Sequence, residues 1–134
     1  MPYIDFTDVN DARNFLSIPE GRYLCRVADI RNHRTTEGDE RWFFRLEVVD
    51  GDYAGRTAAW DGMTFSEKGN SRAKFVLEQL GFDVGQPIDV SPTDLLGREA
   101  MVEIQSEQYD DPNGQRRIRG RVPFLGYERA DAPL

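Results

Sequence analysis

The sequence predicts a mainly β domain with one helix. Three observations carry this. The stretch ERWFFRLEVVD (40–50) alternates apolar and polar side chains over a strand's length. Four more stretches rich in β-branched or aromatic residues are separated by Gly-, Asp- and Asn-containing turns. One stretch alone, SRAKFVLEQLG (71–81), has helical spacing, with Ala73, Val76, Leu77 and Leu80 on one stripe.

Residues 1–20 read as a lead-in. Asp8 or Asn10 is placed to cap a short helix through Arg13, Phe15 and Leu16, which Pro19 stops. Tyr3, Ile4 and Phe6 are expected to pack on the domain, and Asp5, Asp8 and Asp11 to face solvent. Strand one follows Gly21. It has no purely polar face, which suits a long, curved strand serving two parts of a barrel. RTTEGD (34–39) is a turn. In strand two, Trp42, Phe44, Leu46 and Val48 point inward, while Arg41, Phe43, Arg45 and Glu47 point outward. Asp50-Gly51-Asp52 is a hairpin signal, and Gly62 suggests a bulge in strand three. Ser71 is the expected N-cap of the helix and Gly81 its stop. Residues 82–96 form an irregular link. Strand four turns Ala100, Val102 and Ile104 inward. Asp110–Gly114 is a turn, strand five follows, and residues 128–134 form a short flexible tail.

Strand, strand, strand, helix, strand, strand is the order of a five-stranded OB-fold, a Greek-key barrel with a helix between strands three and four. The domain is expected to span 21–127. An OB-fold binds oligonucleotides or oligosaccharides on strands two and three and on the loops joining strands one–two and four–five.

Composition narrows the function. The 134 residues suit one soluble domain, and no apolar run approaches the roughly 20 residues of a membrane helix. The polar, acidic N-terminus does not resemble a signal peptide, so a cytoplasmic location is expected. Cys25 and His33 are the only cysteine and histidine, which excludes an internal disulfide and a Cys/His zinc site. Cys25 reads as core and His33 as exposed. Neither a P-loop nor GxGxxG occurs, so no cofactor is expected. Asp110-Asp111 is the only pair of adjacent aspartates, the feature a metal nuclease would use, and a turn is a poor metal cage. The expectation is a non-enzyme.

The net charge of −7 argues against coating duplex DNA by bulk positive charge but permits a local basic groove. Of 17 basic residues only Lys68 and Lys74 are lysine, and arginine suits phosphate contacts and stacking on bases. QRRIRGR (115–121) is the densest basic segment. Arg116 belongs to it, and Arg117, Arg119 and Arg121 share one strand face at about 7 Å spacing. The competing reading pairs them with Glu99 and Glu103 of strand four. Arg41, Phe43 and Arg45 make a stacking platform with a charge clamp, unless Phe43 packs under the helix. Trp60 is a second stacking residue or else core. Tyr109 lies at the mouth of the four–five loop, and Arg31 and Arg34 edge the one–two loop.

The segments IPEGRYLCRV (18–27), WFFRLEVVDGDYAGRTAAWDGMTF (42–65), RAKFVLEQLGFD (72–83), LLGREAMVEI (95–104) and RIRGRVPFLGYE (117–128) resemble a small phage-encoded family. That family is known as a domain of unknown function and often described as a single-stranded-DNA-binding protein. The resemblance implies an OB-fold that coats single-stranded DNA in phage replication or recombination, within the host cytoplasm. It also implies phage or host replication and recombination proteins as partners, and a homo-oligomer is open to it. The acidic tail common among such proteins is weak here: ERADAPL holds only Glu128 and Asp131, against Arg129. The runner-up is an OB-like protein-interaction module that binds no nucleic acid.

Overall fold

The computed structural model describes residues 18–131. The expected lead-in helix and its apolar anchors lie outside the described residues. The elements are β1 (Gly21–Arg34), β2 (Glu40–Val48), β3 (Thr57–Phe65), α1 (Asn70–Gln79), β4 (Glu99–Asp110), β5 (Arg116–Arg121) and β6 (Tyr127–Arg129), with a 3-10 turn at Pro92–Leu95. All strand pairs are antiparallel. The sheet order is β3-β2-β1-β4-β5, with β6 also on β4. This is a mainly β, OB-like fold whose barrel is not closed by hydrogen bonds.

β1 is long because it serves two partners. Gly21–Arg26 pairs with Ile104–Glu99 of β4, and Cys25–Arg34 pairs with Val48–Glu40 of β2. A register shift between Val27 and Asp29 bends the strand where it changes partners. The two end strands, β3 and β5, then meet without pairing. Gly120 permits the approach. A methyl group there would lie 2.3 Å from the Ala58 carbonyl oxygen, so only a residue without a side chain lets β5 lie on β3.

The inward row of β2 is buried as its alternation requires: Trp42, Phe44, Leu46 and Val48. Cys25 and Val27 of β1 and Ala100, Val102 and Ile104 of β4 complete the barrel interior. Ala73, Val76, Leu77 and Leu80 of α1 pack against this core, again as the stripe predicts. Leu95, in the link that reads as irregular, is wholly buried, and the 3-10 turn that carries it is held by a capping box of Ser91 and Asp94.

Several local expectations change. The described residues form six strands, not five. Pro123 lacks an N–H, so the chain turns through Pro123–Gly126, and Tyr127–Arg129 returns to pair with Val102–Ala100. The first two residues of the expected tail, Glu128 and Arg129, are therefore strand, and the Arg129 amide donates to Gln79 Oε1 at 3.0 Å. The helix starts at Asn70 rather than after Ser71, with Gly69 at the N-cap and no side-chain cap. Ser66 receives the amides of this turn instead: its Oγ accepts from Gly69 at 3.0 Å and its carbonyl from Asn70 at 2.9 Å. Gly62 is not a bulge but pairs in register with Phe43. The irregularity in this hairpin lies between Leu46 and Glu47.

Among the described residues no helix is long and apolar enough to cross a membrane. The β3–β5 seam yields a stability prediction. Gly120→Ala overpacks it and should cost roughly 1–3 kcal/mol, read as a lowered thermal midpoint. An unchanged midpoint would mean that the seam is not tight.

Candidate nucleic-acid interface

A groove of about 690 Å³ lies between β2 and β3 on one side and the β4–β5 hairpin on the other. Its first wall is the outward row of β2. Phe43 and Arg41 lean over Gly62, where a methyl group would lie 3.1 Å from the Phe43 ring and 2.7 Å from an Arg41 guanidinium nitrogen. The missing side chain is what seats the ring. The Arg41 guanidinium stacks 4.5 Å from the Phe43 centroid and donates to the Thr64 hydroxyl. His33 is exposed and meets Phe43 edge-on at 5.5 Å. Phe43 is thus half-buried beside Arg41 and His33, not under the helix. Trp60 is 42% exposed, which removes the core alternative, and Arg31 lies 5.0 Å from its ring.

The second wall carries Tyr109, with the Arg119 guanidinium 4.4 Å from its centroid, and Arg121. Arg119 pairs with Glu107 at 2.8 Å, and Arg121 makes only a 3.4 Å contact to Gln105. The competing cross-strand pairing with Glu99 and Glu103 does not form. Register puts Glu107 opposite Arg119, while Glu103 and Glu99 lie opposite Arg22 and Arg26 of β1.

The structure therefore brings together Arg41, Phe43, Trp60, Tyr109, Arg119 and Arg121, with Arg31 at the rim. The other expected residues have local roles. Arg45 faces Thr57 Oγ1 at 3.2 Å and Glu47 at 3.4 Å. Arg34 donates to the Gly38 carbonyl of its own turn at 3.0 Å. Arg116 is exposed beside Asp110, 3.6 Å away. Arg117 departs most from the expected row. Its side chain is 8% exposed, pairs with Asp111 at 3.0 Å and bonds Gln115, so it clamps the β4–β5 turn instead of facing solvent. Asp111 also accepts the amides of Gln115 and Asn113. The Gln115 amide, and then the Arg117 side chain, hold its carboxyl below the usual range.

Sequence reasoning missed the groove's support. Arg72 donates to the Gly62 carbonyl at 2.7 Å and the Phe124 carbonyl at 3.2 Å, and pairs with Asp61 at 2.8 Å. The Tyr127 hydroxyl donates to the same Asp61 oxygen. Burial, and then the Asp61 carboxylate, push the Tyr127 phenol well above its ordinary value, so it remains a donor. This cluster joins α1, β3, β6 and the turn before β6. One signal was present: Asp61 interrupts the inward row Ala59–Asp61–Met63, and an inward acid requires a cation.

Four arginines and two acids line the groove, Arg41, Arg72, Arg119 and Arg121 against Asp61 and Glu107, so it is locally positive on a chain of −7. Among the described residues no three of His, Cys, Asp and Glu come together as metal ligands. Cys25 is core: burial, and then Asp50, push its thiol up to about 12. A family model described as "Protein of unknown function (DUF669)" matches residues 5–133. No curated protein matches the chain.

Two predictions test the support. Asp61→Ala strands Arg72 and should destabilise the fold by about 3 kcal/mol in urea unfolding. Adding Arg72→Ala should cost less than the sum of the single changes, and strict additivity would sink the network. Asp111, with its lowered pKa, contributes stability that is present above the ordinary aspartate range and lost as pH falls through the depressed value. Asp111→Asn should therefore flatten the acid side of the stability curve, and an unchanged acid limb would contradict the clamp.

Proposed function

We propose that this chain, which belongs to the DUF669 family, is a non-enzymatic single-stranded-DNA-binding protein acting in phage DNA replication or recombination in the host cytoplasm. The observation that carries this reading is the positive groove with Phe43, Trp60 and Tyr109 on its walls. Arg41 and Arg121 have no carboxylate within ion-pair distance among the described residues and are the first phosphate contacts. Each ring is covered by a guanidinium in the free protein: Arg41 on Phe43, Arg31 on Trp60, Arg119 on Tyr109. Such an exposed pair is worth about 0.5–1 kcal/mol, and a base stacked on a ring about 1–3 kcal/mol. A strand can therefore take the ring while its phosphate takes the released arginine. Unpaired bases offer free faces and a duplex does not, so selectivity for single strands follows, with little preference for sequence. The net charge of −7 further disfavours a rigid duplex lying across the surface.

Titration with oligo-dT of about 30 nucleotides tests this. Trp42 is buried and Trp60 exposed, so quenching reports on Trp60. Trp60→Ala should cost about 1–3 kcal/mol of binding. Arg41→Ala plus Arg121→Ala should flatten the dependence of log K on log salt by roughly 1.4, about 0.7 for each lost phosphate contact. Equal affinity for duplex, or no binding at low salt, would overturn the reading. A protein-interaction module is the second reading, favoured by the exposed Phe124 and Leu125 at the turn before β6. It requires a co-purifying protein and indifference to oligo-dT.

A further inference from the structure

The groove contains its own competitor. Among the described residues only two acids line it. Asp61 is committed to Arg72 and Tyr127, and its side chain is 15% exposed. Glu107 differs. Its side chain is 37% exposed, and its Oε2 lies 2.8 Å from Arg119 Nε, where a phosphate oxygen would sit. That same guanidinium covers the Tyr109 ring at 4.4 Å. Glu107, Arg119 and Tyr109 thus form a chain in which one carboxylate holds the cation, and the cation blocks the ring. The β4–β5 register makes the arrangement, with Glu107 opposite Arg119 and Tyr109 two residues further along β4.

We infer that Glu107 is a specificity-determining residue of the groove, an anionic placeholder that a phosphodiester must displace. The inference rests on the proposed binding reading and adds a regulation to it. An exposed ion pair of this kind is weak, so displacement is easy for an anion delivered at high local concentration by a neighbouring stacked base. An isolated anion lacks that second anchor and is outcompeted. Displacement exposes two sites together, the Arg119 guanidinium for phosphate and the Tyr109 face for a base. The effect of removing the carboxylate is therefore opposite in sign to that of removing any of the groove's arginines or rings that meet the strand: binding should tighten.

The test compares Glu107→Gln with Glu103→Gln. Both remove one negative charge from β4, but Glu103 does not line the groove. With oligo-dT, Glu107→Gln should bind roughly two- to fivefold tighter than wild type, and the salt dependence should steepen by about 0.7 through the released arginine. Glu103→Gln should match wild type. Adding Arg119→Ala to Glu107→Gln should abolish the gain. Thermal midpoints of the single variants should stay near wild type, because an exposed pair contributes little to folding. Wild type that binds, with Glu107→Gln equal or weaker, overturns the placeholder alone. Equal tightening by both glutamate variants also overturns it, since the effect would then be bulk charge. No binding by wild type or either variant overturns the binding reading, and the placeholder with it.

Discussion

Where β5 crosses β3, the Ala58 carbonyl occupies the space that a side chain at Gly120 would need. The rest of the molecule depends on that close approach. Without it, β3 and β5 would be two bare sheet edges and β1 would bend toward nothing. With it, the five main strands curve round as in an OB-fold, although no hydrogen-bond ladder spans the seam and the barrel is not closed. The same crossing brings the outer face of β3, with Trp60 and Gly62, alongside the β4–β5 hairpin, with Tyr109 and Arg119. The groove is the external consequence of the seam.

A seam held by contact alone needs a fastening, and Arg72 supplies one. From the first turn of α1 it reaches the Gly62 carbonyl, the Asp61 carboxylate and the Phe124 carbonyl. Tyr127 meets the same carboxylate from β6. Two stretches far apart in the chain, 61–72 and 124–127, are thereby fixed to one ion pair. Breaking a pair of this burial is costly, because the surviving charge keeps only neutral partners and loses its counter-ion. Specificity of position, more than net stability, is what such a pair contributes.

The groove's chemistry follows from partnering as much as from composition. Fifteen arginines are present, but few are available. Arg72 and Arg117 are internal clamps, and Arg34, Arg45 and Arg116 serve local contacts. Of the arginines expected at the site, those left to meet a ligand are Arg41, Arg121 and the ring-stacked Arg31 and Arg119. A cation resting on an aromatic face stays desolvated on one side and remains mobile, a suitable resting state for a group that later moves to a phosphate.

Alternation and periodicity made much of this legible from the sequence. The inward row Trp42, Phe44, Leu46 and Val48, and the α1 stripe from Ala73 to Leu80, followed from repeats of two and 3.6, because burial of apolar surface acts on every position of a repeat. The outward placement of Arg41 and Phe43 came with them. What those repeats cannot encode is the partner across space. Arg117 looked like a neighbour of Arg119 and Arg121, yet Asp111 and Gln115 draw it inward. Glu107, not Glu99 or Glu103, meets Arg119, because the pairing register is set by the turn and the seam. The exposure of Trp60 and the joining of Arg72 to Asp61 and Tyr127 likewise arose only when β3, α1 and β6 met. Local sequence determined the elements and which face of each is apolar, because those depend on neighbours along the chain. Tertiary structure decided which charges are spent and which stay free, because an ion pair depends on distance in space.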